Sequence, residues 1–289
     1  MRVSWQERFA ETPDVLKTAE RQQTIIPILD FTIGGDDFVT MAGPCSVENE
    51  AQLIETALHV RERGARILRG GAFKPRSSPY AFQGHGLEGL KMLAHAREAS
   101  GLAIVTEVMS EVDVPLVAEY ADILQIGSRN MENFALIEAA ARSGRPILLK
   151  RGMVATVADF MRSAQLALDC GNPNVMLCER GIRTFETATR NTFDIAAIVL
   201  LKQISHLPVI ADPSHASGHR DLVPAFARIA VAAESDGLIV EVHPNPDKAW
   251  SDGDQSLDFA SFDAMMRSME PYLALRPTAH ESRPMELVG

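Results

Sequence analysis

Pro146-Ile-Leu-Leu-Lys150, then Val157-Ala-Asp-Phe-Met-Arg-Ser-Ala-Gln-Leu-Ala-Leu168, then Asn174-Val-Met-Leu-Cys-Glu179: an apolar run, an amphipathic stretch and a second apolar run follow one another. The outer runs are almost continuously apolar, as strands buried on both faces are. The middle stretch repeats its apolar residues three and four apart, as a helix with one buried face does. Strand, helix, strand is the unit of a parallel sheet, because only a crossover can return the chain to start the next strand in the same direction.

The same alternation runs outward in both directions. Strands are predicted at Phe38–Ala42, Ala65–Arg69, Leu102–Glu107, Asp122–Gly127, Pro146–Lys150, Asn174–Glu179, Leu207–Ala211 and Gly237–Val242. Amphipathic helices are predicted at Glu50–Arg63, Gly86–Ser100, Met131–Arg142, Val157–Leu168, Arg190–Ser205, Asp221–Ala233 and Asp258–Met269. Eight strands in such units close into a (β/α)8 barrel. A doubly wound sheet is the alternative, but Gly43-Pro44-Cys45 after the first strand is not a glycine-rich dinucleotide turn. Residues 1–36 stand outside the repeat, and Ile25–Ile33, Gly34-Gly35-Asp36 and Phe38 onward read as a hairpin that could close the barrel bottom. Residues 37–275 are expected to form one catalytic domain, and residues 276–289, polar and proline-containing, a flexible tail.

Composition narrows the function. The formal net charge of −10 disfavours nucleic acid and anionic membranes as partners. No run approaches the roughly 18 apolar residues of a membrane span, and the N-terminus lacks a signal-peptide core, so a soluble, cytoplasmic protein is expected. Three cysteines, Cys45, Cys170 and Cys178, at unrelated spacings do not make a disulfide framework.

In such a barrel the active site lies at the C-terminal strand ends, and the chemically conspicuous residues collect there. Cys45, His215, Glu241 and Asp252 offer a thiolate, an imidazole and two carboxylates, a set suited to a divalent transition metal with a position open for substrate. Taken alone, Cys45 reads as a buried apolar thiol and His215 as a capping or core histidine; four compatible ligands at three strand ends reverse that. His243 is a fifth ligand or, more in keeping with its spacing, a group supporting the ligands. Arg69, Lys74, Arg76, Arg129, Lys150 and Arg180 form a second set, suited to phosphate or carboxylate. Glu107, Glu179 and Asp212 could each neutralise one of these cations. Cys178 shares strand parity with Arg180 and is read as a packing residue; Cys170 and the scattered methionines carry no evident chemistry.

Gly43-Pro-Cys-Ser46, Lys74-Pro-Arg-Ser-Ser-Pro79, Leu149-Lys-Arg-Gly152, Cys178-Glu-Arg-Gly-Ile-Arg-Thr-Phe185, Asp212-Pro-Ser-His215, Glu241-Val-His-Pro244 and Ser251-Asp-Gly-Asp-Gln255 closely resemble motifs of the 3-deoxy-D-arabino-heptulosonate 7-phosphate (DAHP) synthases, in their compact type I (β) subgroup. The likeness runs from about Ile33 to Tyr272. It implies condensation of phosphoenolpyruvate with erythrose 4-phosphate and water to give DAHP and phosphate, the first step of the shikimate route to aromatic compounds. It also implies a divalent metal (manganese, iron, cobalt or zinc) on Cys45, His215, Glu241 and Asp252. By the same resemblance Arg69, Arg129, Lys150 and Arg180 hold phosphoenolpyruvate, while Arg76 and Ser77 hold the phosphate of erythrose 4-phosphate. Lys74, Glu107, Lys150 and His215 become the catalytic residues, with Lys74 protonating the nascent alkoxide and Glu107 and Lys150 positioning water. Ser77 stands where the family usually has threonine, which keeps the hydroxyl and loses a methyl.

Two other readings compete. The sister synthase that makes 3-deoxy-D-manno-octulosonate 8-phosphate from arabinose 5-phosphate typically reads Lys-Ala-Asn-Arg-Ser-Ser, against Lys74-Pro75-Arg76-Ser77-Ser78 here. A non-catalytic barrel subunit would lack a ligand or a cation, and none is missing. A homo-oligomer, dimer or tetramer, is expected. With about 35 residues before the barrel, against the roughly 40–60 an added domain needs, strong inhibition of this chain by phenylalanine, tyrosine or tryptophan is not expected, and a pocket at a subunit interface or a separate regulatory protein are the remaining routes.

Overall fold

The computed structural model describes residues 4–73 and 83–276. A one-turn helix, α1 (Trp5–Arg8), precedes an antiparallel pair, β1 (Ile26–Ile28) and β2 (Phe31–Ile33). Eight parallel strands then close into a barrel: β3 (Val39–Gly43), β4 (Ile67–Arg69), β5 (Ala103–Val108), β6 (Ile123–Ile126), β7 (Ile147–Lys150), β8 (Val175–Glu179), β9 (Val209–Ala211) and β10 (Gly237–Glu241). The ring closes where β10 pairs with both β9 and β3. Around it lie α2 (Glu50–Glu62), α3 (Leu87–Ser100), α4 (Val114–Tyr120), α5 (Phe134–Arg142), α6 (Val157–Asp169), α7 (Ile195–Ile204), α8 (Pro213–Ser217), α9 (Val223–Ala232) and α10 (Phe259–Leu273). The expected (β/α)8 barrel with an N-terminal hairpin is the observed fold.

Successive strand residues face opposite sides, so the wall sorts its apolar residues into two cores. Val39, Met41, Ile67, Ala103, Val105, Ile123, Leu148, Met176, Cys178, Ile210 and Ile239 fill the interior. Their neighbours, among them Leu68, Ile104, Leu124, Leu149, Leu177 and Val240, pack outward against the helices. Cys178 is therefore an interior packing residue, and burial pushes its thiol well above the usual range, which leaves it inert. None of the three cysteines forms a disulfide.

The hairpin differs from the expected one. Ile26 pairs with Ile33 and Ile28 with Phe31, so the turn is Leu29-Asp30 and not Gly34-Gly35-Asp36. Residues from Val39 onward belong to the barrel wall, where ladder partners on both sides outcompete a local return. The hairpin's Ile26, Ile28 and Ile33 join the interior core, plugging the end at which the strands begin. Preceding residues strap the same end, with Lys17 N donating to Ile204 O at 2.8 Å and Thr24 N to His206 O at 2.7 Å.

Helix boundaries shift where a cap decides them. The sequence pattern names no helix between Glu107 and Asp122, yet α4 fills that crossover; Pro115 sits in its first turn, where its missing N–H has no intrahelical partner to lose. The predicted helix from Arg190 begins instead at Ile195, because the Asp194 side chain accepts from Ala197 N. The one-turn helix α8 was also not expected; the Asp212 side chain caps it by accepting from His215 N. The polar tail beyond 276 and the Lys74–Pro79 motif lie outside the described residues.

Ile33 is fully buried in the plug. Ile33→Ala is expected to cost about 2–5 kcal/mol, the usual range for emptying a core isoleucine site, measured by urea unfolding. A cost under about 0.5 kcal/mol, the level of an ordinary surface change, would contradict the plug.

Candidate active site

Strand parity carries past the apolar layers. Two residues beyond Ile67 comes Arg69; beyond Val105, Glu107; beyond Leu148, Lys150; beyond Cys178, Arg180; beyond Ile210, Asp212; beyond Ile239, Glu241. Inward-facing positions thus turn from apolar to ionisable at the C-terminal barrel mouth. Cys45 joins them from the turn after β3. Asp252 comes from the loop after β10, which is pinned at both ends by Val242 pairing with Leu257 and by Ser46 Oγ at 2.7 Å from Ser251 Oγ. Asp252 itself is left-handed, φ 50° and ψ 35°, a conformation aspartate tolerates as a single residue and one that clusters at functional sites.

Ligand atoms of Cys45, Glu241 and Asp252 lie within 4.8 Å of one another. Cys45 Sγ approaches Asp252 Oδ2 at 2.9 Å. His215 reaches this group through Glu241, with Nε2 3.4 Å from Glu241 Oε1. Its other nitrogen, Nδ1, is 2.8 Å from Asp212 Oδ2. Burial, with Lys150 nearby, lowers the pKa of His215, which favours the neutral ring that metal binding requires; with Nδ1 donating to Asp212, Nε2 faces the cluster. That is how a metal-binding histidine is held, and the thiol, imidazole and two carboxylates fit a divalent transition metal better than magnesium or calcium. His243 does not join them: its Nε2 faces Glu48 and Gln52, and its Nδ1 accepts from Asn245 N at 3.0 Å.

Three of the predicted cations are buried together. Arg69 Nη1 donates to Pro44 O at 2.7 Å and pairs with Glu241 Oε1 at 3.2 Å, while its Nε has no partner among the described residues. Lys150 is ion-paired with Asp212. Arg180 Nη1 is likewise buried without a partner, and burial pulls its pKa down. Buried donors left open in this way are costly, and an anionic ligand would satisfy them. Arg129 differs: it lies exposed in the 3₁₀ turn Ser128–Asn130, on the rim. Lys74, Arg76 and Ser77 lie outside the described residues.

Neutralisation of the cations by Glu107, Glu179 and Asp212, the alternative to an anion site, is seen only in part. Asp212 pairs with Lys150, and Glu241 pairs with Arg69. Among the described residues Glu179 is not ion-paired with Arg69, Arg129, Lys150 or Arg180. Its parity is that of Val175 and Leu177, outward, and there it meets Arg151 Nη1 at 2.9 Å; Arg151 in turn holds Asp194 at 2.8 Å. This network ties the wall to the cap of α7. Glu107 lines a cleft with Cys45, Arg69, Thr106 and Gln125, and Gln125 Nε2 donates to its Oε2 at 3.3 Å.

Sequence reading missed Gln125, the adjoining Gly127, and the orienting part of Asp212. A Cβ at Gly127 would collide with the Glu107 carboxylate, so this glycine leaves the acid its place. Only strand parity could have flagged Gln125, which shares the inward face of β6 with Ile123.

The model of the DAHP synthetase I family matches residues 14–274. A Thermotoga maritima protein, phospho-2-dehydro-3-deoxyheptonate aldolase, is 51% identical over 249 residues, 86% of this chain and 74% of the relative. A crystal structure of the Thermotoga maritima DAHP synthase superposes with a TM-score of 0.84 at 51% identity, covering 86% of this chain and 73% of that one. A truncated form of that organism's synthase gives 0.81 at 48% identity, covering 86% and 91%. A 2-dehydro-3-deoxyphosphooctonate aldolase of Acidithiobacillus ferrooxidans is 32% identical over 87% of this chain and 95% of its own length.

The Arg151–Glu179 pair gives a pH test. Burial raises the Glu179 pKa above its ordinary 4.5. Arg151→Met removes the compensating charge and raises it further, at a cost of about 3–5 kcal/mol. The folded variant then keeps a proton that the unfolded chain releases, so its stability falls as pH rises from the unfolded value through the folded one. Urea unfolding at about pH 5 and about pH 8 checks this. A deficit that shrinks with rising pH would contradict the assignment.

Proposed function

The chain belongs to the DAHP synthetase I family, and from that premise we propose that it condenses phosphoenolpyruvate with erythrose 4-phosphate and water, releasing DAHP and inorganic phosphate. The observation that carries the reading is one barrel mouth in which open buried donors, Arg69 Nε and Arg180 Nη1, adjoin the cluster of Cys45, Glu241 and Asp252 with His215 at its edge. A phosphorylated carboxylic acid answers those donors, and a divalent metal answers the cluster.

Cys45, His215, Glu241 and Asp252 would hold the metal, which when bound supplies Lewis acidity toward the aldehyde oxygen of erythrose 4-phosphate. Arg69, Lys150 and Arg180 bind the carboxylate and phosphate of phosphoenolpyruvate inside the mouth, with Arg129 at the rim. Held in this way, the enol C3 forms the new bond to the aldehyde C1. Lys74 delivers a proton to the oxygen that becomes the alcohol. Glu107, held by Gln125, together with Lys150 orients water toward C2; the hydroxyl adds there as one water proton passes to Glu107, and the C2–O bond to phosphate breaks as the departing phosphate takes the other, giving the ketone. Asp212 pairs with Lys150 and holds His215 in one tautomer, coupling the substrate and metal sides of the mouth. Arg76 and Ser77 grip the phosphate of the aldose.

The four-carbon aldose is favoured over arabinose 5-phosphate by Lys74-Pro75-Arg76-Ser77-Ser78 and by the higher identity to the heptonate than to the octonate relative. A cytoplasmic homo-oligomer is the setting we propose; no helix among the described residues is long and apolar enough to cross a membrane.

A coupled phosphate-release assay tests the proposal. Turnover of erythrose 4-phosphate well above arabinose 5-phosphate is expected; equal turnover would contradict it. Activity should vanish on chelation and return with manganese, and Cys45→Ala should not be rescued, whereas full activity after rigorous metal removal would sink the metal assignment. Losing charged hydrogen bonds worth about 1.5–3 kcal/mol, Arg180→Ala should raise KM for phosphoenolpyruvate and Arg76→Ala that for the aldose, each about tenfold to a hundredfold. The reverse pattern would contradict the assigned subsites.

A further inference from the structure

Gln255 ends the Ser251–Gln255 motif, yet the chemistry above leaves it without a part. It is almost fully buried. Its Oε1 accepts from Arg190 Nη1 at 2.6 Å, and its Nε2 donates to Glu241 Oε2 at 2.6 Å. A guanidinium can only donate and a carboxylate can only accept. The amide between them has a single orientation that serves both, so Arg190 fixes which end of Gln255 faces Glu241. Arg190 Nη1 also reaches Asp252 Oδ1 at 3.2 Å.

The segment carrying Arg190 is itself built in. Arg190 N donates to Ser217 O and Asn191 N to Ala216 O, each at 3.0 Å, and Asn191 Nδ2 donates to His215 O at 2.8 Å. Two glycines make room for it. Both Gly218 (φ +70°) and Gly181 (φ +87°) are left-handed; a Cβ at Gly218 would collide with Arg190, and one at Gly181 would lie 2.8 Å from Asn191 Cβ. One dipeptide therefore touches Asp252 directly, Glu241 through Gln255, and the backbone of His215.

We propose that Gln255, oriented by Arg190, is a positioning residue that sets the Glu241 carboxylate for metal binding. The inference rests on the reading of Cys45, His215, Glu241 and Asp252 as a divalent-metal site. Glu241 Oε1 is already drawn toward Arg69 at 3.2 Å and His215 at 3.4 Å. Removing the Gln255 donor from Oε2 lets the carboxylate turn toward a fuller pairing with Arg69, and a ligand oxygen is lost. Gln255 tests this more cleanly than Arg190, because removing a cation beside a metal site would also strengthen attraction for the ion.

The measurement is calorimetric titration of Mn²⁺ into the metal-stripped native chain and the Gln255→Met variant, with cobalt absorption as a second readout of ligand geometry. Gln255→Met keeps the volume and removes both amide bonds. Its affinity is expected to fall about 10- to 100-fold, as for other groups that support metal ligands, while the metal-free proteins unfold at similar temperatures. Should that variant fail to fold, Gln255→Asn keeps an amide too short to span both partners and carries the same expectation. Native-like affinity in a folded variant overturns the role of Gln255 and leaves the metal site standing. A native chain that takes up no Mn²⁺ overturns the metal reading and this inference with it.

Discussion

The two-residue period of the barrel strands is the constraint on which everything else depends. Ile67 and Arg69, Val105 and Glu107, Leu148 and Lys150, Ile239 and Glu241 are pairs on one face of one strand. In each, the first member belongs to the apolar interior and the second to the barrel mouth. A one-residue slip would reverse every side chain, sending charges into the helix layer and isoleucines and leucines into the mouth. The plug formed by Ile26, Ile28 and Ile33 and the ionisable mouth are thus two ends of one register. What stabilises the barrel also fixes the chemistry.

Charge in the mouth is arranged by the same geometry. Asp212 is buried, which by itself would raise its pKa, but the attraction of His215 and Lys150 prevails and holds it well below the usual carboxylate range. One ionised carboxylate therefore serves both the Lys150 ammonium and the His215 imidazole. Arg180 keeps an open buried donor. In a chain of net charge −10, donors left open at the end of a barrel are a local inversion of the overall balance, and they suit an anionic ligand.

Much of this was legible in the residues themselves. Alternating apolar runs and amphipathic stretches gave the barrel because a parallel strand buried on both faces cannot hide its composition. Cys45, His215, Glu241 and Asp252 stood out because thiol, imidazole and carboxylates at strand ends have few structural uses in common. Less legible were features fixed by caps and by parity beyond the strands. The hairpin turn fell at Leu29-Asp30, where no glycine marks it. Asp194, rather than periodicity, decides where α7 begins, and this frees Arg190 to bond Gln255. Glu179 looked available to the mouth until its parity turned it outward to Arg151.

The central claim is that the barrel mouth holds one divalent metal beside one phosphoenolpyruvate. Anomalous diffraction at the manganese edge, from crystals grown with Mn²⁺ and phosphoenolpyruvate, tests it most directly. A single peak is predicted among Cys45 Sγ, His215 Nε2 and the carboxylates of Glu241 and Asp252, with the phosphorylated acid on Arg69, Lys150 and Arg180. A mouth with no peak there, or phosphoenolpyruvate bound away from those three cations, would contradict the account.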